Sequence, residues 1–299
     1  MTFLSTLSEK LAAIVLGILV VFTVLKQYVF TRSPKDSAEI DSEVQSELEK
    51  PTDFSVQGII GLSIILPGAF GLIPLAILSF QVLKEYFSLI QTRTADHRGV
   101  LWAYLAIPIQ YYWVFLGWRW MFFIFIPVYM FLVIPIRLAL LNEIKGLLGS
   151  LARIQWGLIA FVFALSHLAL LLSLPAVREV LGGGKALLLT LWVISLLHNF
   201  AMRIPKPANI FVSLLIALGI GYLNCRYLSG INLVIGLTGA IIVPLSIVLG
   251  EFVFQKIAIS LEVDLSKSIQ AGKGGLIGKV AGLTYAAPFY YHFYGYLFY

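Results

Sequence analysis

The sequence predicts an all-α, polytopic integral membrane protein, and three observations carry that expectation. Of its 299 residues 60% are hydrophobic and 12% are charged, whereas a soluble domain carries about 25% charged residues. Mean hydropathy is +0.93, so the chain cannot cover itself with polar surface and its solvent must be lipid. Apolar stretches of roughly the 20 residues needed to cross a bilayer recur along the chain, separated by short polar breaks. About nine such spans are expected.

The spans fall near 11–30, 57–82, 99–117, 120–137, 153–174, 186–202, 208–225, 231–250 and 283–299. The first has no evident small-residue cleavage site after it, and reads as a transmembrane helix rather than a removed signal segment. The second is interrupted by Pro67 and Pro74 and carries Gly61, Gly68 and Gly71. Proline removes a helical hydrogen bond, so this stretch is either one kinked span or a hairpin that re-enters the membrane. Aromatic residues gather at span ends, as at Trp102, Tyr111-Tyr112-Trp113, Trp118, Trp120 and Tyr290-Tyr291. That is the expected interfacial belt.

Charge sets the orientation. Lys10, Lys84, Arg93, Arg98, Arg137, Lys145, Arg153, Arg203, Lys206, Lys256, Lys267, Lys273 and Lys279 share one side, and the remaining cations share the other. Positive residues are retained in the cytoplasm, so the expected N-terminus is cytoplasmic and Tyr299 external, in a bacterial-type inner membrane. The net charge of +6 then belongs to cytoplasmic loops and not to a nucleic-acid surface. The one cysteine, Cys225, excludes an internal disulfide and a cysteine-based metal cage. A single transmembrane domain, 1–299, has two notable loops. Residues 31–55 form an acidic external loop. Residues 251–282 form a cytoplasmic helix, from Glu251 to about Val263, followed by a Gly-rich loop.

The last fifty residues resemble the end of phosphatidate cytidylyltransferases (CDP-diacylglycerol synthases). The resemblance lies in Gly250-Glu251, in Lys273-Gly274-Gly275 through Gly278-Lys279-Val280-Ala281-Gly282, and in Ala286-Ala287-Pro288. Upstream, Lys84-Glu85-Tyr86, Trp156-Gly157, Phe163-Ala164-Leu165-Ser166-His167 and Leu174-Pro175 are similar to further elements of the family. The resemblance implies a cytidylyltransferase-like fold and transfer of a cytidylyl group from CTP to phosphatidate. Such chemistry brings two anions together, so carboxylate-held divalent cations must neutralise them and basic residues must hold the triphosphate.

This chain departs from the family pattern where that chemistry resides. Glu251 stands for an aspartate, Lys273 for a histidine, and Gly278, Lys279 and Ala281 for Asp, Arg and Asp. Asn199 stands where a buried aspartate is expected, and Pro205-Lys206-Pro207 runs straight into the next span in place of a longer motif. At most one carboxylate, Glu251, remains for metal. The expectation is therefore a degenerate member of phospholipid metabolism with no resident cofactor, which binds phosphatidate or another anionic phospholipid, or scaffolds a neighbouring lipid-synthesis enzyme. The family further implies a homodimer. Asn199, Arg203, Lys273, Gly274, Gly275 and Lys279 are the substrate-binding candidates around Glu251.

His167 is a further candidate. A histidine at membrane depth is a functional hypothesis by default: it could bind a lipid phosphate or act as a base in acyl transfer, and the competing reading is a histidine hydrogen-bonded between helices. Two functional alternatives remain open: an active, Mg²⁺-dependent cytidylyltransferase with a rewired site, and a lipid transporter or flippase.

Overall fold

A computed structural model describes residues 54–90, 97–140, 146–175, 183–205, 208–260 and 275–298, together with Gly17. The expected first span, but for Gly17, and the acidic loop as far as residue 53 lie outside the described residues, as do Lys273 and Gly274. Among the described residues every regular element is helical. The helices are α1 (Phe54–Ile65), α2 (Leu72–Leu89), α3 (His97–Phe115), α4 (Arg119–Ala139), α5 (Leu147–Leu172), α6 (Gly183–Ala201), α7 (Ala208–Ser229), α8 (Leu233–Ser260) and α9 (Leu276–Phe298). The physical reason is that lipid offers no partner to a backbone amide, so each segment must close its hydrogen bonds within itself. Six of the described helices, α2 with its preceding turn and α4 to α8, are long and apolar enough to cross a membrane. They fit a multi-pass membrane protein. The helices α3 and α9 have comparable length but carry His97, Arg98 and Gln110, and Lys279 and His292, respectively.

Consecutive helices pack as antiparallel neighbours, α8 on α9 and α7 on α8 most extensively. Following the chain, Lys84, Arg98, Arg137, Arg153, Arg203, Lys256 and Lys279 fall at one end of the bundle, here termed the basic end. Arg119, Lys185 and Arg226 fall at the opposite end. The helix α5 is the most buried of the six apolar helices and α4 and α7 the least. Exposed Phe131, Leu132 and Ile136 on α4, and Phe211 and Leu215 on α7, form the outer apolar surface.

The 57–82 stretch is broken, and α1 turns back against α2 through the 3₁₀ turn Gly68–Gly71. Pro67 is extended there, and Gly68 adopts a φ of 53° that a side chain would strain. A Cβ on Gly71 would lie 2.6 Å from the Ser63 carbonyl oxygen, so only glycine allows this close return. The stretch is thus two helices joined by a turn and not one continuous helix. Its turn is held from α6, where Lys185 Nζ donates to the Leu66 carbonyl at 2.8 Å. A cation at the C-terminal end of a helix satisfies carbonyls that have no partner within it.

Two boundaries differ from expectation. The helix α8 runs without a break from Leu233 to Ser260, so the helix expected from Glu251 is the continuation of a span and not a separate element. The helix α9 begins at Leu276 rather than after Gly282, which places Gly278, Lys279 and Ala281 in its first turns and not in a loop. Glycine also serves the packing of these two helices. A Cβ on Gly250 would lie 2.7 Å from the Ala281 carbonyl and 3.1 Å from Gly282 Cα, so α8 and α9 cross backbone to backbone.

Buried side chains on neighbouring helices satisfy carbonyls near prolines and widened π turns. Tyr111 Oη donates to the Leu75 carbonyl at 2.9 Å. Gln110 Nε2 donates to the Phe122 carbonyl at 3.2 Å. Gln155 Nε2 donates to the carbonyl of Met130, the last residue of the π turn Phe125–Met130, at 3.1 Å. These bonds fix helix register where apolar packing alone is permissive.

Candidate functional site

At the basic end, α2, α5, α8 and α9 converge on a polar clasp. Glu85, near the end of α2, accepts a hydrogen bond at Oε2 from the backbone amide of Leu276, at 2.8 Å. The Ile277 amide and the Lys279 charge act on the same carboxylate. The first amides of a helix lack intrahelical partners and the helix dipole favours negative charge there. Glu85 therefore caps α9 from a position 191 residues away in sequence.

The next residue, Tyr86, ties α2 to α5. Its hydroxyl donates to the Arg153 carbonyl at 2.9 Å. Its ring covers Gly157, where a Cβ would stand 2.6 Å from Tyr86 Cε1. The ring also packs on Phe161 at a centroid distance of 5.2 Å. Phe254 of α8 completes this layer, 5.5 Å from Phe161 and 6.2 Å from Trp156. Lys84-Glu85-Tyr86 and Trp156-Gly157, read in the sequence as separate elements, thus touch each other, and Glu85 touches the start of α9.

The predicted site residues are only partly brought together. Gly250 meets Ala281 and Gly282 where α8 and α9 cross, whereas Gly278, a turn earlier in α9, faces open space. Gly275 immediately precedes α9. Lys273 and Gly274 lie outside the described residues. Asn199 and Arg203 are half-buried at the same end, at the C-terminus of α6. The Arg203 guanidinium sits 5.2 Å from the Phe200 ring centroid. Beside them, His198 Nδ1 and Ser213 Oγ of α7 are 2.7 Å apart, an inter-helix hydrogen bond.

His167 does not join this set. It lies fourteen positions along α5 from Arg153, about 21 Å up the helix axis. It is fully buried among rings of α4 and α9. In the sequence, Glu85 and Tyr86 stood out only as part of an element similar to the family, and Arg153 only as one of the cations of one side. The signal pointing to Glu85 and Tyr86 was the resemblance of Lys84-Glu85-Tyr86 to a family element.

The charges present set limits on the chemistry. Among the described residues no group of three or more His, Cys, Asp and Glu side chains is placed to hold a metal ion. Among the described residues the carboxylates at the basic end are Glu85 and Glu251, and Glu85 is engaged with a helix amide. Catalytic Mg²⁺ is held by carboxylates and substrate phosphates, and a two-metal centre needs several oxygen ligands about 4 Å apart. The described residues do not fit such a centre. Lys279 and the nearby arginines suit an anionic group held by charge and amides alone.

The fold and this basic end define a multi-pass, all-α membrane protein. The chain is similar to the uncharacterized protein YnbB of Escherichia coli (strain K12), 26% identical over 307 aligned residues that take in 95% of this chain and 97% of that protein. The likeness therefore runs through the whole architecture and not through one segment. No family model and no solved structure matches the chain.

Proposed function

We propose that this protein is a phosphatidate cytidylyltransferase-like membrane protein of phospholipid metabolism that binds an anionic phospholipid at its basic end without transferring a nucleotidyl group. The observation that carries the reading is the Glu85–Leu276 hydrogen bond. It joins the two stretches that resemble the family, Lys84-Glu85-Tyr86 and the Gly-rich start of α9, across the bundle. The same helix start carries Gly278, Lys279 and Ala281 where the family has Asp, Arg and Asp. A scaffold held by long-range contacts, with its acidic ligands replaced by neutral and basic residues, is suited to hold a phosphate and poorly suited to hold metal. The basic end then faces the cytoplasm of a bacterial-type inner membrane, as the positive-inside rule requires.

The test is CTP binding and turnover by purified protein with phosphatidate and Mg²⁺. The expected result is no CDP-diacylglycerol, with phosphatidate raising the thermal stability of wild type and raising that of Lys279→Ala less. Labelled CDP-diacylglycerol formed by wild type, and absent in Glu251→Ala, establishes the active transferase instead. A protein that moves lipid between leaflets of a liposome without nucleotide chemistry is the transporter.

A further inference from the structure

The opposite half of the bundle holds a buried polar group that the basic end does not use. His167 Nδ1 lies 2.8 Å from the Phe163 carbonyl on its own helix. A carbonyl only accepts, so Nδ1 carries the proton and Nε2 presents a bare lone pair. That Nε2 is completely buried and has no hydrogen-bond partner. A buried acceptor left unmatched in an apolar medium is costly, and in a native protein calls for an explanation.

The nearby polar groups are already engaged. Ser166 Oγ donates to the same Phe163 carbonyl at 2.8 Å. The Gln110 amide reaches the Phe122 carbonyl at 3.2 Å and Ser166 Oγ at 3.4 Å. The Phe163 carbonyl ends the π turn Leu158–Phe163. Such turns disturb the regular ladder and gather at functional sites. Here the disturbed carbonyl fixes the tautomer and the orientation of the ring.

Nε2 is at the edge of the ring farther from Cβ, and the ring lies against side chains of α4 and α9. The walls there are aromatic. Phe122, Phe163 and Tyr291 meet the His167 ring at centroid distances of 5.1, 4.9 and 5.6 Å. His292 lies 5.3 Å from His167 and is stacked on Phe123 at 5.3 Å. His292 is exposed, whereas His167 and Tyr291 are buried. The two imidazoles therefore run from the flank of the bundle to its interior along the seam of α4 and α9.

We infer that His167 Nε2 is the hydrogen-bond acceptor of a second binding site, entered sideways from the bilayer past His292, for an uncharged lipid that carries a free hydroxyl. The ligand must supply a donor, since Nε2 offers only a lone pair. It is uncharged, since the described cations of this half, Arg119, Lys185 and Arg226, belong to helix ends and not to this seam. It is a lipid, since the approach is a flank of aromatic rings and not an aqueous end. This site stands independently of the reading of the basic end.

The experiment uses the full chain in nanodiscs with a photoactivatable diacylglycerol and its methyl ether, which lacks only the donor. Wild type is expected to capture the free alcohol roughly tenfold more than the ether, the value of one hydrogen bond to a buried acceptor. Crosslinks fall on α4 and α9. His167→Leu captures both probes at the level of the ether, and His292→Ala shows a smaller loss. Equal capture of alcohol and ether by wild type overturns the inference, and that arm does not depend on any variant folding. So does undiminished preference for the alcohol in His167→Leu. Stabilisation by Zn²⁺ that needs both histidines, with no preference between the lipids, also overturns it and makes the pair a metal site.

Discussion

The clasp at the basic end and the ring cage around His167 treat their buried polar groups differently. At the basic end they answer one another over long distances, Glu85 with the amide of Leu276, Tyr86 with the carbonyl of Arg153, and His198 with Ser213. Toward the opposite end, His167 bonds only to its own helix and leaves its outer nitrogen unmatched inside a cage of rings. Matched groups hold helices in register, and their removal should cost stability. An unmatched group contributes little to the fold, and its removal should cost function. Chemical type does not separate the two cases: His198 and His167 are both buried histidines whose Nε2 has no partner, yet only His198 reaches a neighbouring helix through Nδ1.

The largest effect that can break this contrast lies at the α8–α9 crossing. Gly250→Ala places a methyl group against the Ala281 carbonyl and Gly282, both backbone and unable to move aside. It should destabilise the protein by about 3 kcal/mol, read as a lowered unfolding temperature in detergent. The control is Gly219→Ala, where nothing lies within 4 Å. That change should be neutral or raise stability by up to about 1 kcal/mol, the helix propensity gained. An equal loss in both would remove the backbone crossing from the account.

Next comes the clasp. Glu85→Ala should cost about 1–2 kcal/mol, the value of a lost helix cap. Glu85→Gln keeps an acceptor oxygen and should lose less than half of that, with the difference shrinking at high salt as the charge–dipole part is screened. Hydrogen exchange at the Leu276 and Ile277 amides should rise in Glu85→Ala and stay slow in Lys84→Ala, whose side chain is exposed.

Smaller still is the α6–α7 tie. Ser213→Ala should cost about 1 kcal/mol, and a double-mutant cycle with His198→Ala should give a coupling of at least about 0.5 kcal/mol. The smallest effect is expected at His167. His167→Leu trades an unmatched acceptor for an apolar side chain of similar size, and stability should change by less than about 0.5 kcal/mol. A loss near that of Glu85→Ala would make His167 a structural residue and erase the contrast between the halves.

Much of the fold was legible in the residues. Long apolar runs force helices, because the bilayer leaves the backbone no other partner, and the described helices α3 to α7 fall close to the runs read from composition. The candidate site was legible only in part. Of the residues read by pattern, Ala281 lies at the crossing of α8 and α9, against Gly250. Glu85 was not recognised, because a carboxylate at a helix end is locally indistinguishable from a solvated one. The starts of α9 and of the Glu251 helix differ from expectation because polar and charged residues such as Glu251 and Lys279 end an apolar run without ending the helix.

By itself, then, the sequence determined that the chain is helical, apolar and basic at one end, since hydropathy and charge are properties of single residues and their neighbours. The tertiary structure alone decided that α1 turns back on α2, that Glu85 caps a helix 191 residues away, and that of two buried histidines one is answered from a neighbouring helix and one is not. Those outcomes depend on which helices become neighbours. That choice is made by small residues and a few directional hydrogen bonds, which leave no periodic trace along the chain.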